Sequence, residues 1–323
     1  MKKLTIPALS LALLLMLGAC GADQGTQGDT TTETQQQIEQ AAEAEAVTLT
    51  DAAGNTLTFA EIPQRVAALS GSFGEIWINA GGTLVATTKD AVTERDLDLA
   101  EDVQIVGSIK EPDLEAVLAA EPDFVILSAD TGSHIELAAT LQQAGIPCGL
   151  FKVEYFEDYL NLLEDFCAIT GRDDLYEKNG LEVQASIEET LSKAPDLEGK
   201  TVLLLRAFSS GFKAKDSENM TGTMLADFGL ENILDKYDSL LEEISIEEII
   251  TADPDYIFVT TMGSDVQAAI DNLDASLTSN PAWSGLTAVQ NGEYFILPQE
   301  LFHYKPNARW SESYAHLLDL LAE

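Results

Sequence analysis

The sequence predicts an α/β fold of two similar lobes with mainly parallel sheets, joined by one long helix. Three observations lead there. The stretch 114–128, LEAVLAAEPDFVILS, lines up without a gap with 246–260, IEEIITADPDYIFVT, at a constant offset of 132 residues. Short apolar runs alternate with amphipathic stretches along the chain, as in strand–helix layers. A helical stretch from Asp173 to about Lys193 lies between the two copies.

The elements follow in order. Met1-Lys2-Lys3 and the leucine-rich stretch 4–17 form a basic start and an apolar segment too short to span a bilayer comfortably. They read as a secretory leader over 1–20, ending in Leu17-Gly18-Ala19-Cys20. That box resembles the bacterial lipoprotein pattern, with Cys20 as the lipidated residue. Residues 21–46 are Gly, Thr, Gln, Glu and Ala with almost no large apolar side chain, so they are expected to form a disordered tether. An N-terminal lobe is placed at 47–171, the linking helix at 172–197 and a C-terminal lobe at 198–323. The expected strands lie at 66–69, 83–87, 124–127, 147–151, 201–207, 256–259 and 294–297. Helices are expected at 73–80, 135–144, 155–170 (closed by Gly171) and 309–321, with 223–227 inside another.

Each copy of the repeat reads as a short helix, a Pro-Asp turn and a strand covered on both faces. Asp113 and Ser245 are expected N-caps, and Ser245 with Glu248 a capping box. Positions 114, 117 and 118, with 246, 249 and 250, mark the expected inward faces. Pro122 and Pro254 are expected to stop the helices. In parallel sheets of this kind ligands sit beyond the carboxyl ends of the strands, so two facing lobes predict a cleft.

Composition narrows the function. The chain has 55 Asp and Glu against 17 Lys and Arg, and loss of the leader removes two of the lysines. Such a field repels nucleic acid and anionic lipid. Cys148 and Cys167, the two cysteines beyond the leader, are expected unbridged. Three histidines are too few for a bare zinc or manganese site, so no metal ligand set is expected. No Ser/His/Asp order, nucleophile elbow or phosphate loop is present, so no catalytic residues and no enzymatic cofactor are expected.

The leader box, the tether, Val47-Thr-Leu-Thr-Asp51-Ala-Ala-Gly54, Pro63-Gln-Arg65-Val66-Ala, the two Pro-Asp strands, Asn280-Pro281-Ala-Trp283 and Gly292-Glu-Tyr-Phe occur in one order. Together they resemble the substrate-binding lipoproteins of ABC importers for iron complexes and cobalamin, over roughly 47–322. The resemblance implies a monomeric binder on the extracellular face of a bacterial cell membrane, held by a lipid anchor. It would hand a small ligand to a permease dimer with its ATPase. The ligand is expected to be a ferric siderophore or other iron complex; haem, cobalamin or a chelatase-like α/β enzyme are the alternatives. The resemblance also implies one glutamate per lobe that docks on permease arginines, by repeat position Glu115 and Glu247.

The expected cleft residues are Ser72, Phe73, Lys89, Thr131 and His134 from the first lobe. From the second come Arg206, Phe208, Lys213, Met220, Met262, His303 and Tyr304. Cations are scarce, so Arg206, Lys213, Lys215, Lys305 and Arg309 near this region suit an anionic ligand. His303 or Tyr304 would be the iron ligand if the ligand were haem. Taken singly, Lys213 and Lys215 read as solvated loop charges and Arg309 as the partner of Glu312, while Arg206, at the end of an apolar strand, reads as a ligand contact.

Overall fold

The computed structural model describes residues 46–236 and 244–322. The leader, Cys20 and the tether lie outside the described residues. The described chain opens with a hairpin, β1 (Val47–Thr50) and β2 (Thr56–Phe59). The first lobe continues as β3 (Val66–Ala68), α1 (Gly71–Asn79), β4 (Leu84–Thr87), α2 (Asp90–Thr93), β5 (Gln104–Ile105) and α3 (Leu114–Ala119). It closes with β6 (Phe124–Ser128), α4 (Gly132–Gln143), β7 (Cys148–Phe151) and α5 (Phe156–Thr170), which ends on left-handed Gly171. The link is α6 (Asp173–Tyr176), a π-turn (Glu177–Leu181) and α7 (Glu182–Leu191), so the long helix carries a bulge.

The second lobe holds β8 (Thr201–Phe208), β9 (Gly211–Lys215), α8 (Met220–Asp227), β10 (Glu231–Asn232) and α9 (Ile246–Ala252). It continues through β11 (Tyr256–Thr261), α10 (Val266–Leu273), α11 (Thr287–Asn291), β12 (Tyr294–Ile296), α12 (Gln299–Phe302) and α13 (Trp310–Leu321). The first sheet is parallel throughout, in the order β5-β4-β3-β6-β7. The second is parallel in the order β10-β8-β11-β12, with β9 antiparallel against β8. The two Pro-Asp strands, β6 and β11, therefore sit in different sheets.

Side-chain alternation assigns the faces. Val66, Ala68, Phe124, Ile126, Val202, Leu204 and Phe258 point into one apolar core that runs through both lobes. That core is closed by Phe166 of α5, Val183 and Ile187 of α7, and Trp310 and Leu317 of α13. The alternate residues of β3 and β6 pack beneath α3 and α4. Those of β8 and β11 pack beneath α9, α10 and α11. Two lobes that share a core cannot swing apart without exposing it.

The Pro-Asp aspartates have a structural role that their pattern did not announce. Asp123 accepts the backbone N–H groups of Gln64 (2.7 Å) and Arg65 (2.9 Å), just before β3. Asp255 accepts the Thr201 N–H (2.9 Å), the Thr201 hydroxyl (3.0 Å) and Lys200 Nζ (2.9 Å), where β8 starts. Each aspartate thus ties its strand to the neighbouring one in the same register. Burial opposes ionisation at Asp255, but these donors outweigh it and hold its carboxyl below the usual range. Its contribution is present above the unfolded carboxyl value and fades as pH falls through the folded one. Asp255→Ala is expected to cost about 1–2 kcal/mol in urea unfolding at neutral pH, with the difference shrinking in acid. Equal unfolding midpoints for the two proteins would refute the tie.

Several expectations need correction. The N-caps hold: Asp113 accepts the Ala116 N–H, and Ser245 and Glu248 form the capping box. The helices also end just before Pro122 and Pro254, as expected, with Glu121 and Asp253 in the left-handed region (φ 48° and 40°). Leu118 and Ile250 do not face inward; each is 39% exposed. Lys213 and Lys215 lie on β9 rather than in a loop, because the hairpin with β8 recruits them. Cys148 and Cys167 are free and buried.

Candidate functional site

The chain returns from β12 through 297–309 and meets the first lobe at the start of α1. Gly71 begins that helix where only a glycine fits, since a Cβ would lie 2.6 Å from the Ala91 nitrogen. Its N–H is held by the buried Asp90 carboxylate at 2.7 Å. Asn307 is wholly buried and left-handed (φ 53°), a conformation that asparagine tolerates. It donates from Nδ2 to the Ser72 carbonyl (3.0 Å) and to Glu75 Oε2 (2.8 Å). Arg95 pairs with Glu75 and also donates to the Lys305 carbonyl (3.1 Å). Tyr155 donates its hydroxyl to the Glu218 carbonyl at 2.6 Å, and Phe156 meets Trp310 edge-on at 6.0 Å. These contacts join strand-end segments of one lobe to those of the other. A pocket of about 80 Å³ beside them is lined by Glu75, Glu94, Arg95, Tyr304, Lys305 and Arg309, among others.

Around this junction several basic groups gather beside His303. Arg206 makes no ion pair among the described residues, and its Nε is buried without a hydrogen bond. Burial pushes its guanidinium below its ordinary value. Lys213 stands directly across the β8–β9 ladder from Arg206, where cross-strand side chains share a face. His303 is partly buried, with Nδ1 unpartnered. Burial, with Arg206 nearby, pushes it down to about 4, so it is neutral at pH 7. Lys305 Nζ lies 5.9 Å from the Phe73 ring centre, and burial pushes it below the usual lysine range. Arg309, by contrast, is satisfied by Glu312 at 3.0 and 2.8 Å.

The other candidates sort by place. Ser72 and Phe73 are buried in the first turns of α1, and the Ser72 hydroxyl is unpartnered. Thr131 is the partly exposed N-cap of α4, and Lys89 is exposed before α2. Phe208 ends β8, partly exposed. Met220 starts α8 and is buried, one residue before Thr221, whose hydroxyl reaches the Phe302 carbonyl at 2.8 Å. Met262 is exposed just past β11, and Tyr304 adjoins His303 with ring centres 5.4 Å apart. His134 is fully buried, and its Nδ1 accepts the Ser128 N–H at 2.9 Å. That places it in the core beneath the strand end, with no ring surface free for a ligand. Asn307, Glu75 and Arg95 carry no sequence signal; their role arises from contacts across more than two hundred residues.

Glu115 and Glu247 are both exposed, and neither makes an ion pair among the described residues. Among those residues no cluster of three or more His, Cys, Asp or Glu is placed to hold a metal ion, and no helix is long and apolar enough to cross a membrane.

Two lobes with parallel sheets, joined by one helix and meeting at their strand ends, define a two-lobed α/β binding protein. The periplasmic binding protein family matches residues 66–301, and the chain belongs to that family. An Fe(3+)-citrate-binding protein of Bacillus subtilis (strain 168) is 23% identical over 91% of this chain and 89% of its own length. An Fe(3+) dicitrate-binding periplasmic protein of Escherichia coli (strain K12) is 27% identical over 76% of this chain and 80% of its own. Among solved structures, the petrobactin-binding protein of Bacillus subtilis superposes with a TM-score of 0.68 at 20% identity, covering 86% of this chain and 97% of that one. The iron uptake substrate-binding protein PiuA of Streptococcus pneumoniae gives 0.70 at 20% identity, covering 85% and 98%.

Proposed function

We propose that this chain captures an anionic ferric complex outside a bacterial cell and delivers it to an ABC permease dimer with its ATPase. One observation carries the ligand class. In a chain this acidic, Arg206 is partly buried, with its Nε enclosed and no carboxylate partner among the described residues, and it faces the same side as Lys213, near His303. A desolvated cation left unpaired is costly unless something else completes it. A carboxylate-bearing chelate would do so through charge-assisted hydrogen bonds, and two relatives bind ferric citrate. Such a chelator already fills the iron coordination shell, so no protein ligand to the metal is required. The proposed contacts are Ser72, Phe73, Lys89, Thr131, Arg206, Phe208, Lys213, Met220, Met262, His303 and Tyr304. His134 drops out because it is enclosed.

Haem is the second reading, on the single ground that neutral His303 with a free Nδ1 is chemically able to ligate iron. Titration of the purified protein with ferric citrate, haem and cobalamin separates them. Saturable binding of ferric citrate, with no Soret shift on adding haem, is expected. Binding of haem or cobalamin in its place would reject the ligand assignment.

Cys20 is proposed as the lipid attachment point, with 21–46 as the tether, placing a monomer on the outer face of the cell membrane. Glu115 and Glu247 are proposed as the permease-docking pair. Both are exposed without an ion pair among the described residues, and the repeat register makes their positions equivalent on the two lobes. Glu115→Arg with Glu247→Arg is expected to abolish uptake of radioactive iron supplied as ferric citrate while leaving ferric citrate affinity unchanged. Uptake at the wild-type rate would exclude that docking role.

A further inference from the structure

We infer that Leu118 and Ile250 form a second, apolar element of the permease-docking surface, one on each lobe; this rests on the docking reading above. Both residues belong to helical stripes that amphipathic spacing would turn inward. Their neighbours Val117 and Ile249 are fully buried and hold α3 and α9 to their lobes, yet Leu118 and Ile250 stay in solvent at 39% exposure each.

Single exposed aliphatic side chains are ordinary. This pair is set apart by register. Ten large apolar side chains are exposed among the described residues, and these two alone are separated by the 132-residue offset of the repeat. Each also lies three residues after an exposed, unpaired glutamate, Glu115 or Glu247. On a helix that spacing puts the two side chains side by side on one flank. Each lobe therefore presents the same unit, a free carboxylate beside an uncovered aliphatic group.

The chemistry specifies the partner. A surface recognising both units must itself be duplicated, with an apolar recess next to a cation in each half. A permease built as a two-fold dimer has that form. Exposed ion pairs alone contribute little to affinity, while desolvated apolar contacts at the centre of an interface contribute most. The glutamates would orient the encounter and the aliphatic groups would hold the docked complex.

The test is photo-crosslinking in intact cells of the source bacterium. Position 118, position 250 and, as control, position 181 each receive p-benzoylphenylalanine; Leu181 is 43% exposed on the linking helix. Light is expected to couple positions 118 and 250, and not 181, to one polytopic membrane protein identified by mass spectrometry. Coupling at one position alone, at neither, or to a soluble protein or lipid would overturn the inference. In parallel, Leu118→Ser with Ile250→Ser is expected to slow iron uptake from ferric citrate at least tenfold, with ferric citrate affinity unchanged. If the glutamate reversals abolish uptake while the serine pair and the cross-links show nothing, docking stands and the apolar element is refuted. If the glutamate reversals change nothing either, the docking reading itself has failed.

Discussion

Arg206→Met is expected to weaken ferric citrate binding about a hundredfold and, without ligand, to raise the melting temperature. The two effects have one cause. Arg206 sits at the end of an apolar strand with its Nε buried and no carboxylate in ion-pairing reach among the described residues. Removing one partner of a buried charge pair costs about 2–5 kcal/mol, which spans a hundredfold change in affinity. Replacing a partly buried, uncompensated charge by an apolar side chain of similar length stabilises, here by about 1 kcal/mol or ~2 °C. Lys178→Met, at an exposed position on the linking helix and away from the proposed contacts, serves as control for net charge and is expected to shift neither quantity comparably. A variant that keeps its affinity, or that melts earlier than wild type without ligand, would remove Arg206 from the site.

Trp310→Ala is expected to lower the unfolding free energy by about 3–5 kcal/mol, the range for deleting a large buried aromatic. Trp310 is 1% exposed at the start of α13, and it meets Phe156 of the first lobe while belonging to the core that both lobes share. Its loss opens a void where no neighbour can collapse without shifting α5 or α13. Trp310→Phe keeps part of the contact and is expected to recover more than half of the loss. Urea unfolding measures both, and a cost below about 1 kcal/mol for Trp310→Ala would show that the lobes do not depend on this contact.

The same contrast between local pattern and remote contact decides what was legible beforehand. Strands buried on both faces read as apolar runs, so the strands at 124–127 and 256–259 were visible, and a gapless repeat implied two lobes. Caps are local hydrogen bonds, and Asp113 and Ser245 were visible for that reason. The hairpin β8–β9 was missed because Lys213 and Lys215 read as solvated charges, although Ala214 between them is fully buried. His134 read as a cleft residue because nothing in the sequence shows that the Ser128 N–H meets its ring in the core.

By itself, then, the sequence determined the layers, the duplication and the acidic field, since each depends on neighbours a few residues apart. Tertiary structure alone decided that Asn307 meets Ser72 and Glu75, that Arg206 has no carboxylate partner among the described residues, and that Leu118 and Ile250 remain uncovered. The physical reason is that periodicity tells which face of an element avoids water, while the identity of what covers that face comes from chain segments hundreds of residues away.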